Sequence, residues 1–322
     1  MRSAMSTKET EHQVLGELVA DLIKERRATR RMRYIKYGLF AVIAVALDIA
    51  VFSSATGQFG GDDSKDKEIT AAVNVYGEIS EGGQASAEVI KKGLRQALED
   101  KRTKAVVLRI NSPGGSPVQA GEVYDEIKRQ RELHKDTKIY AVISDLGASG
   151  AYYIASAADE IYANKSSLVG SIGVTAASFG YVDLMRTLGV ERRAYTSGEH
   201  KAFLDPFQPQ NQEEAAFWSN VLKTTHAQFI KAVVDGRGPK LKSSEHPELF
   251  SGLIWSGEQA LQLGLVDRLA DVDYVAREVV GASHVVDFTA KENPFDRFAK
   301  KIGASVAEHV SMTMGFSGPN LR

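Results

Sequence analysis

K-A-V-V-L-R-I-N-S-P-G-G-S, residues 104–116, is the stretch that decides the fold. Lys104 to Ile110 is a short apolar run of the kind that forms a buried strand. N-S-P-G-G-S breaks that run with turn residues. Helical spacing then takes over from Val118 to Leu133. The same alternation extends in both directions. Upstream, Ile69 to Tyr76 reads as a strand and Ala85 to Glu99 as a helix. Downstream, Lys138 to Ser144 is a second buried strand, a helix of small residues runs from Ser149 to Ala157, and Asp159 to Ala163 is a further strand. Strand–helix alternation of this sort predicts an α/β domain with largely parallel strands. Glu213 to Val234 predicts a long helix, Glu258 to Leu263 and Asp273 to Val280 shorter ones, and His284 to Phe288 a last strand.

The chain outside this domain has a different character. Residues 1–33 form a polar, basic segment in which Val14, Leu15, Leu18, Val19, Leu22 and Ile23 recur at helical spacing. Residues 34–53 are an apolar run of the length a bilayer requires, with Asp48 near its far end. Lys24, Arg26, Arg27, Arg30, Arg31, Arg33 and Lys36 crowd the near flank. The positive-inside rule then predicts a single-pass transmembrane helix with a cytoplasmic N-terminus. Residues 54–68 are rich in Gly, Ser and Asp and read as a linker. Residues 69–289 hold the α/β domain. Residues 290–322 place Phe295, Phe298, Ile302, Val306 and Val310 on one helical face.

Composition removes several chemistries. The chain has no cysteine, which excludes thiol catalysis, disulfides and cysteine-ligated zinc. Seven histidines are scattered without an H-E-x-x-H motif, so a zincin site has no support. A formal net charge of −1 gives no reason to expect nucleic acid.

Four segments carry possible chemistry. Ile110 to Ser116 puts Gly114 and Gly115 between a strand and a helix, where glycine backbone can turn N–H groups toward a substrate oxygen. An ordinary turn explains the same residues, and the G-x-x-x-x-G-K phosphate loop is absent. D-L-G-A-S-G-A-Y-Y, residues 145–153, places Ser149 at the start of a helix. A serine there is either a helix cap or a nucleophile, with the Gly150 N–H beside it as an oxyanion donor. Ser197 to Phe207 contains Lys201, whose use as a base requires its pKa to fall by about three units, through desolvation. Ala202, Phe203, Leu204 and Phe207 are candidates for that apolar wall, and His200 with Asp205 offers a competing Ser–His–Asp triad. In S-L-V-G-S-I-G-V, residues 167–174, Ser171 is either a turn residue or a group that orients the base.

R-I-N-S-P-G-G, G-A-S-G-A-Y-Y, L-V-G-S-I-G-V and S-G-E-H-K, in that order, resemble the short form of bacterial signal peptide peptidase A. The likeness spans roughly Ile69 to Asp271. The glycine loop alone is similar to that of the Clp protease proteolytic subunit, another member of the Clp/crotonase superfamily. The resemblance implies a Clp/crotonase-like fold of stacked ββα units and a serine–lysine peptidase. Ser149 matches the nucleophile, Lys201 the general base, Gly115 and Gly150 the oxyanion donors, and Ser171 the serine that positions the lysine amine. His200 departs from the aromatic, commonly tyrosine, that precedes the family's lysine. The resemblance further implies homo-oligomers whose serine and lysine come from neighbouring subunits, no metal or organic cofactor, signal peptides as substrates, and an inner-membrane enzyme with its peptidase domain outside the cytoplasm. A related serine–lysine membrane protease, a non-catalytic scaffold and a crotonase-type acyl-CoA enzyme are the rival readings.

Overall fold

The computed structural model describes residues 67–290, together with 32, 36–43, 45, 47 and 48. The helical spacing from Val14 to Ile23, most of the linker and the tail after residue 290 lie outside the described residues. Within the apolar run, residues 36–43, 45, 47 and 48 are helical and exposed. Among the described residues no helix is long and apolar enough to cross a membrane. The chain divides into two compact units, Met1–Asp66 and Lys67–Arg322. The second unit holds the α/β domain.

The first half of this domain alternates as the apolar periodicity dictates. Strand β1 (Ile69–Tyr76) is buried along almost its whole length, as a strand covered on both faces must be. Helix α1 (Ala87–Glu99) starts where the Ser86 side chain accepts the Val89 N–H, and it buries Ile90, Leu94 and Ala97. Strand β2 (Thr103–Ser112) leads to helix α2 (Pro117–Leu133), capped by Ser116 and opened by a proline at its first position. Strand β3 (Lys138–Ala148) leads to the short helix α3 (Gly150–Ala155). Strands β4 (Glu160–Ala163) and β5 (Leu168–Gly170), helix α4 (Val182–Leu188) and the long helix α5 (Gln212–Arg237) come next. The chain then adds β6 (Ile254–Ser256), α6 (Gly257–Gln262), β7 (Arg268–Leu269), α7 (Val272–Val280, π-helical from Val275) and β8 (Val285–Asp287).

These strands make one mixed sheet in the order β6-β5-β3-β2-β1-β8. Every pairing is parallel except β5 with β6. Strand β3 serves two neighbours. Its lower part, Tyr140 to Ile143, pairs with β4, and its upper part, Leu146 to Ala148, pairs with β5. The register against β2 jumps between these parts, from Ile110 opposite Ile143 to Ser112 opposite Gly147. Ser167 fills the fork, its hydroxyl donating to the carbonyls of Ile143 and Ser144 and accepting the Asn164 N–H. Beyond β1 and β2 a parallel bridge joins Ile79 and Gly115.

The main core lies between one sheet face and helices α1, α2, α3 and α5. Leu108, Ile110, Ile127, Ile143, Tyr152 and Ile154 are fully or nearly fully buried there. Complete burial of one such aliphatic stabilises by about 1.5–3 kcal/mol, so this layer fixes the strand ends that hold the site. A smaller core covers the other face, with Val107, Val142, Tyr162 and Val275 at its centre.

Candidate active site

The upper ends of β2 and β3 come together where the glycine loop meets the start of α3. Gly114 and Gly115 both have positive φ, +95° and +146°. Gly115 sits so close to Ile79 that an added Cβ would stand 2.2 Å from the Ile79 carbonyl oxygen. Ile79 clamps the loop, donating its N–H to the Gly114 carbonyl and accepting the Ser116 N–H, each at 2.8 Å. Among the described residues the Gly115 N–H between them is given to no group. Gly150, the first residue of α3, has no intrahelical acceptor for its own N–H either. A Cβ placed on Gly150 would lie 3.4 Å from the Gly115 nitrogen. Among the described residues, two uncommitted donors therefore stand side by side.

Ser149 stands beside these donors. Its φ of +53° and ψ of −125° lie outside the regions open to L residues without cost. The residue occupies the cap position of α3, yet its side chain makes no capping hydrogen bond. Among the described residues its hydroxyl has no hydrogen-bond partner, and capping does not explain the serine. Backbone contacts hold it in place: the Ser149 N–H donates to the Gly170 carbonyl at 2.8 Å, and the Ser149 carbonyl accepts from Tyr153 at 3.0 Å.

Ser171 comes directly after β5 and also has positive φ, +51°. Its N–H donates to the Leu253 carbonyl at 2.7 Å, just before β6. Among the described residues only one more non-glycine residue has positive φ, Leu204, three positions after Lys201. Among the described residues, positive φ at non-glycine residues therefore falls only in the three segments 145–153, 167–174 and 197–207.

Lys201 is placed differently. It is exposed, in a turn where its N–H donates to the Gly198 carbonyl, and among the described residues its ammonium has no partner. The neighbouring aromatics pack elsewhere. Phe203 lies edge-on to Phe217 and Trp218, and Phe207 stacks on Tyr181 beneath Arg192. Within one chain the expected apolar wall does not enclose the amine. The rival triad is not assembled either. His200 Nδ1 pairs with Glu214 at 3.1 Å, and Asp205 pairs with Arg192. The Glu214 hydrogen bond raises the His200 pKa above its ordinary value.

A cleft of about 370 Å³ opens between α2, Tyr153 of α3 and α5. Its walls are mixed: Val118, Tyr153, Val174 and Phe229 on the apolar side, and Glu122, Asp125, Thr225 and Gln228 on the polar side. Tyr153 is one helical turn past Ser149 and stacks on Phe229 at 4.9 Å.

Residues 131–285 match the model of peptidase family S49. A putative protease of Synechocystis, slr0021, is 33% identical over 199 residues, which cover 62% of this chain and 69% of that protein. The chain belongs to peptidase family S49. A putative signal peptide peptidase SppA of Enterococcus faecium is 31% identical over 224 residues, 70% of this chain and 59% of that protein. A Brucella abortus protein named Na(+)/H(+) antiporter NhaA is 42% identical over 214 residues. Those residues are 65% of this chain but only 29% of the Brucella protein. The matched S49 span contains Ser149, Ser171 and Lys201, and it begins after the Gly115 loop.

Nothing in the sequence marks Ile79, the Gly170 carbonyl or the Leu253 carbonyl as parts of this site. Ile79 and Leu253 act through backbone atoms, which no residue type announces. Gly114 was visible in the motif, and its contact with Ser149 emerges only in three dimensions.

Proposed function

We propose that this S49 peptidase is a membrane-anchored endopeptidase that cleaves hydrophobic peptides, such as released signal peptides, with Ser149 as nucleophile and Lys201 as general base. The observation that carries the proposal is the strained, uncapped Ser149 beside the free N–H groups of Gly115 and Gly150. The neutral Lys201 amine takes the hydroxyl proton as Ser149 Oγ attacks the scissile carbonyl. The two N–H groups receive the negative charge that develops on the carbonyl oxygen. The protonated amine gives its proton to the leaving nitrogen, and an acyl-enzyme remains. Water, deprotonated by the same amine, then releases the acid and restores Ser149. Ser171 orients the amine through its hydroxyl. Val118, Tyr153, Val174 and Phe229 offer the cleft beyond α3 an apolar side for a hydrophobic substrate segment.

The exposure of Lys201 is consistent with a homo-oligomer in which a neighbouring subunit encloses the amine. Phe179, Leu188 and Tyr195 in the surrounding segment are 77%, 66% and 91% exposed, an apolar surface suited to burial against a second copy. The short extended pieces at Ile79, Gly115 and Leu146–Ala148, each coming after a long strand and before a helix, support the stacked ββα arrangement. The run at residues 34–53 with its basic flank supports the anchor and an extracytoplasmic peptidase domain.

The test uses the full chain in detergent or liposomes, with a fluorogenic hydrophobic peptide and a serine-directed acylating probe. Ser149→Ala and Lys201→Ala are expected to lose about 10³-fold or more in kcat, and His200→Ala to stay near wild type. Activity that survives Lys201→Ala and disappears with His200→Ala would sink the dyad. Turnover of unfolded soluble proteins but not of signal-peptide sequences would redirect the substrate assignment.

A further inference from the structure

The turn that carries Ser171 is tied down from three directions. Two ties are backbone bonds, from the Ser149 N–H to the Gly170 carbonyl and from the Ser171 N–H to the Leu253 carbonyl. The third comes from a side chain. His226 Nε2 lies 3.1 Å from the carbonyl oxygen of Ile172, the residue after Ser171. A carbonyl oxygen only accepts, so Nε2 carries the hydrogen, in the neutral and in the charged imidazole alike. His226 is half-buried on α5, whose later turns anchor in the core through Phe229, Ala232 and Val233. Ile172 itself is fully buried. A non-glycine residue at φ +51° persists only where its surroundings over-determine it. Without the imidazole, α5 loses its hydrogen bond to this turn.

We propose that His226 is a positioning residue for the peptidase reaction. By holding the Ile172 carbonyl it sets the Ser171 turn, and through that turn the hydroxyl that orients the Lys201 amine. The imidazole touches neither substrate nor the reacting atoms. The proposal rests on Ser149 and Lys201 being the nucleophile and the base.

The experiment is a double-mutant cycle on the full chain, using the fluorogenic peptide and counting active sites with the acylating probe. His226→Leu is expected to lower kcat per labelled site by about 10- to 100-fold, the cost of a small misplacement, with KM changed by less than about twofold. His226→Gln keeps a donor at similar reach and is expected to recover most of the rate. In a Ser171→Ala background, His226→Leu is expected to cost less than about threefold, because both changes disable one element. Equal losses in the two backgrounds would overturn the proposal. So would a His226→Leu protein that unfolds more readily yet turns over normally per labelled site. Full activity in Ser171→Ala alone would remove the role of Ser171 and the proposal with it, whereas full activity in Ser149→Ala would instead show that the underlying catalytic reading has failed.

Discussion

Gly114 lies directly against Ser149: a methyl group on Gly114 would stand 2.7 Å from the Ser149 Cβ and 2.7 Å from the Gly150 nitrogen. The φ of +95° adds a conformational cost for any L side chain. Gly114→Ala is therefore expected to displace nucleophile and oxyanion donor together. Peptide turnover should fall by about 100-fold or more, and urea denaturation should show a loss of about 1–3 kcal/mol.

Ser149 holds a backbone conformation that glycine adopts freely. Ser149→Gly should abolish turnover and raise stability relative to Ser149→Ala by about 1 kcal/mol, read from denaturation midpoints of the two inactive proteins. Equal stabilities would show that the strain is absent.

His200 and Glu214 make a pH-dependent contact apart from the reaction. The glutamate raises the imidazole pKa. A raised value means that the contact's contribution is complete below the unfolded pKa, about 6.5, and fades as pH rises through the folded value. NMR titration should place His200 above 6.5, and Glu214→Gln should return it toward that value. His200→Ala should keep peptide turnover within about threefold at pH 8.

Glu126 ties α1 to α2. Its carboxylate accepts from Arg129, Arg95 and Gln130 while its residue is only 7% exposed. The Arg129 hydrogen bond, then those of Arg95 and Gln130, hold the carboxyl far below the usual range against the opposing cost of burial. Its stabilisation is present above the unfolded pKa and is lost as pH falls through the folded one. Glu126→Gln should cost about 1–3 kcal/mol at pH 7, less than a fully buried pair because both arginines are half-exposed, and the gap to wild type should narrow in strong acid.

Long elements were legible because their periodicity spans several residues. The strand expected at Ile69 to Tyr76 is found with those ends, and the helices read from Ala85, Val118 and Glu213 appear with ends shifted by three residues or fewer. Strand β3 runs past its expected end at Ser144, because Asp145 and Gly147 interrupt the apolar run while the backbone stays paired. Strands β5, β6 and β7 hold two or three residues each, too few to show a period. Helix α4 buries no residue, so no apolar face marked it. In the site, the order of the glycine and serine motifs was readable. The free hydroxyl of Ser149 was not, since capping and nucleophilic serines share a sequence position. Nor were the pairings of His200 and Asp205, which join residues from different segments.

The jump in register along β3 separates two selective pressures acting on one strand. Below it, Tyr140 to Ile143 must satisfy the core and β4. Above it, Leu146 to Ala148 answers to β5 and to Ser149. Substitutions in the upper part can retune the catalytic edge while the lower ladder keeps its partners. A library confined to residues 145–148 and 168–173 should therefore yield folded peptidases with altered substrate preference more often than one confined to residues 139–143.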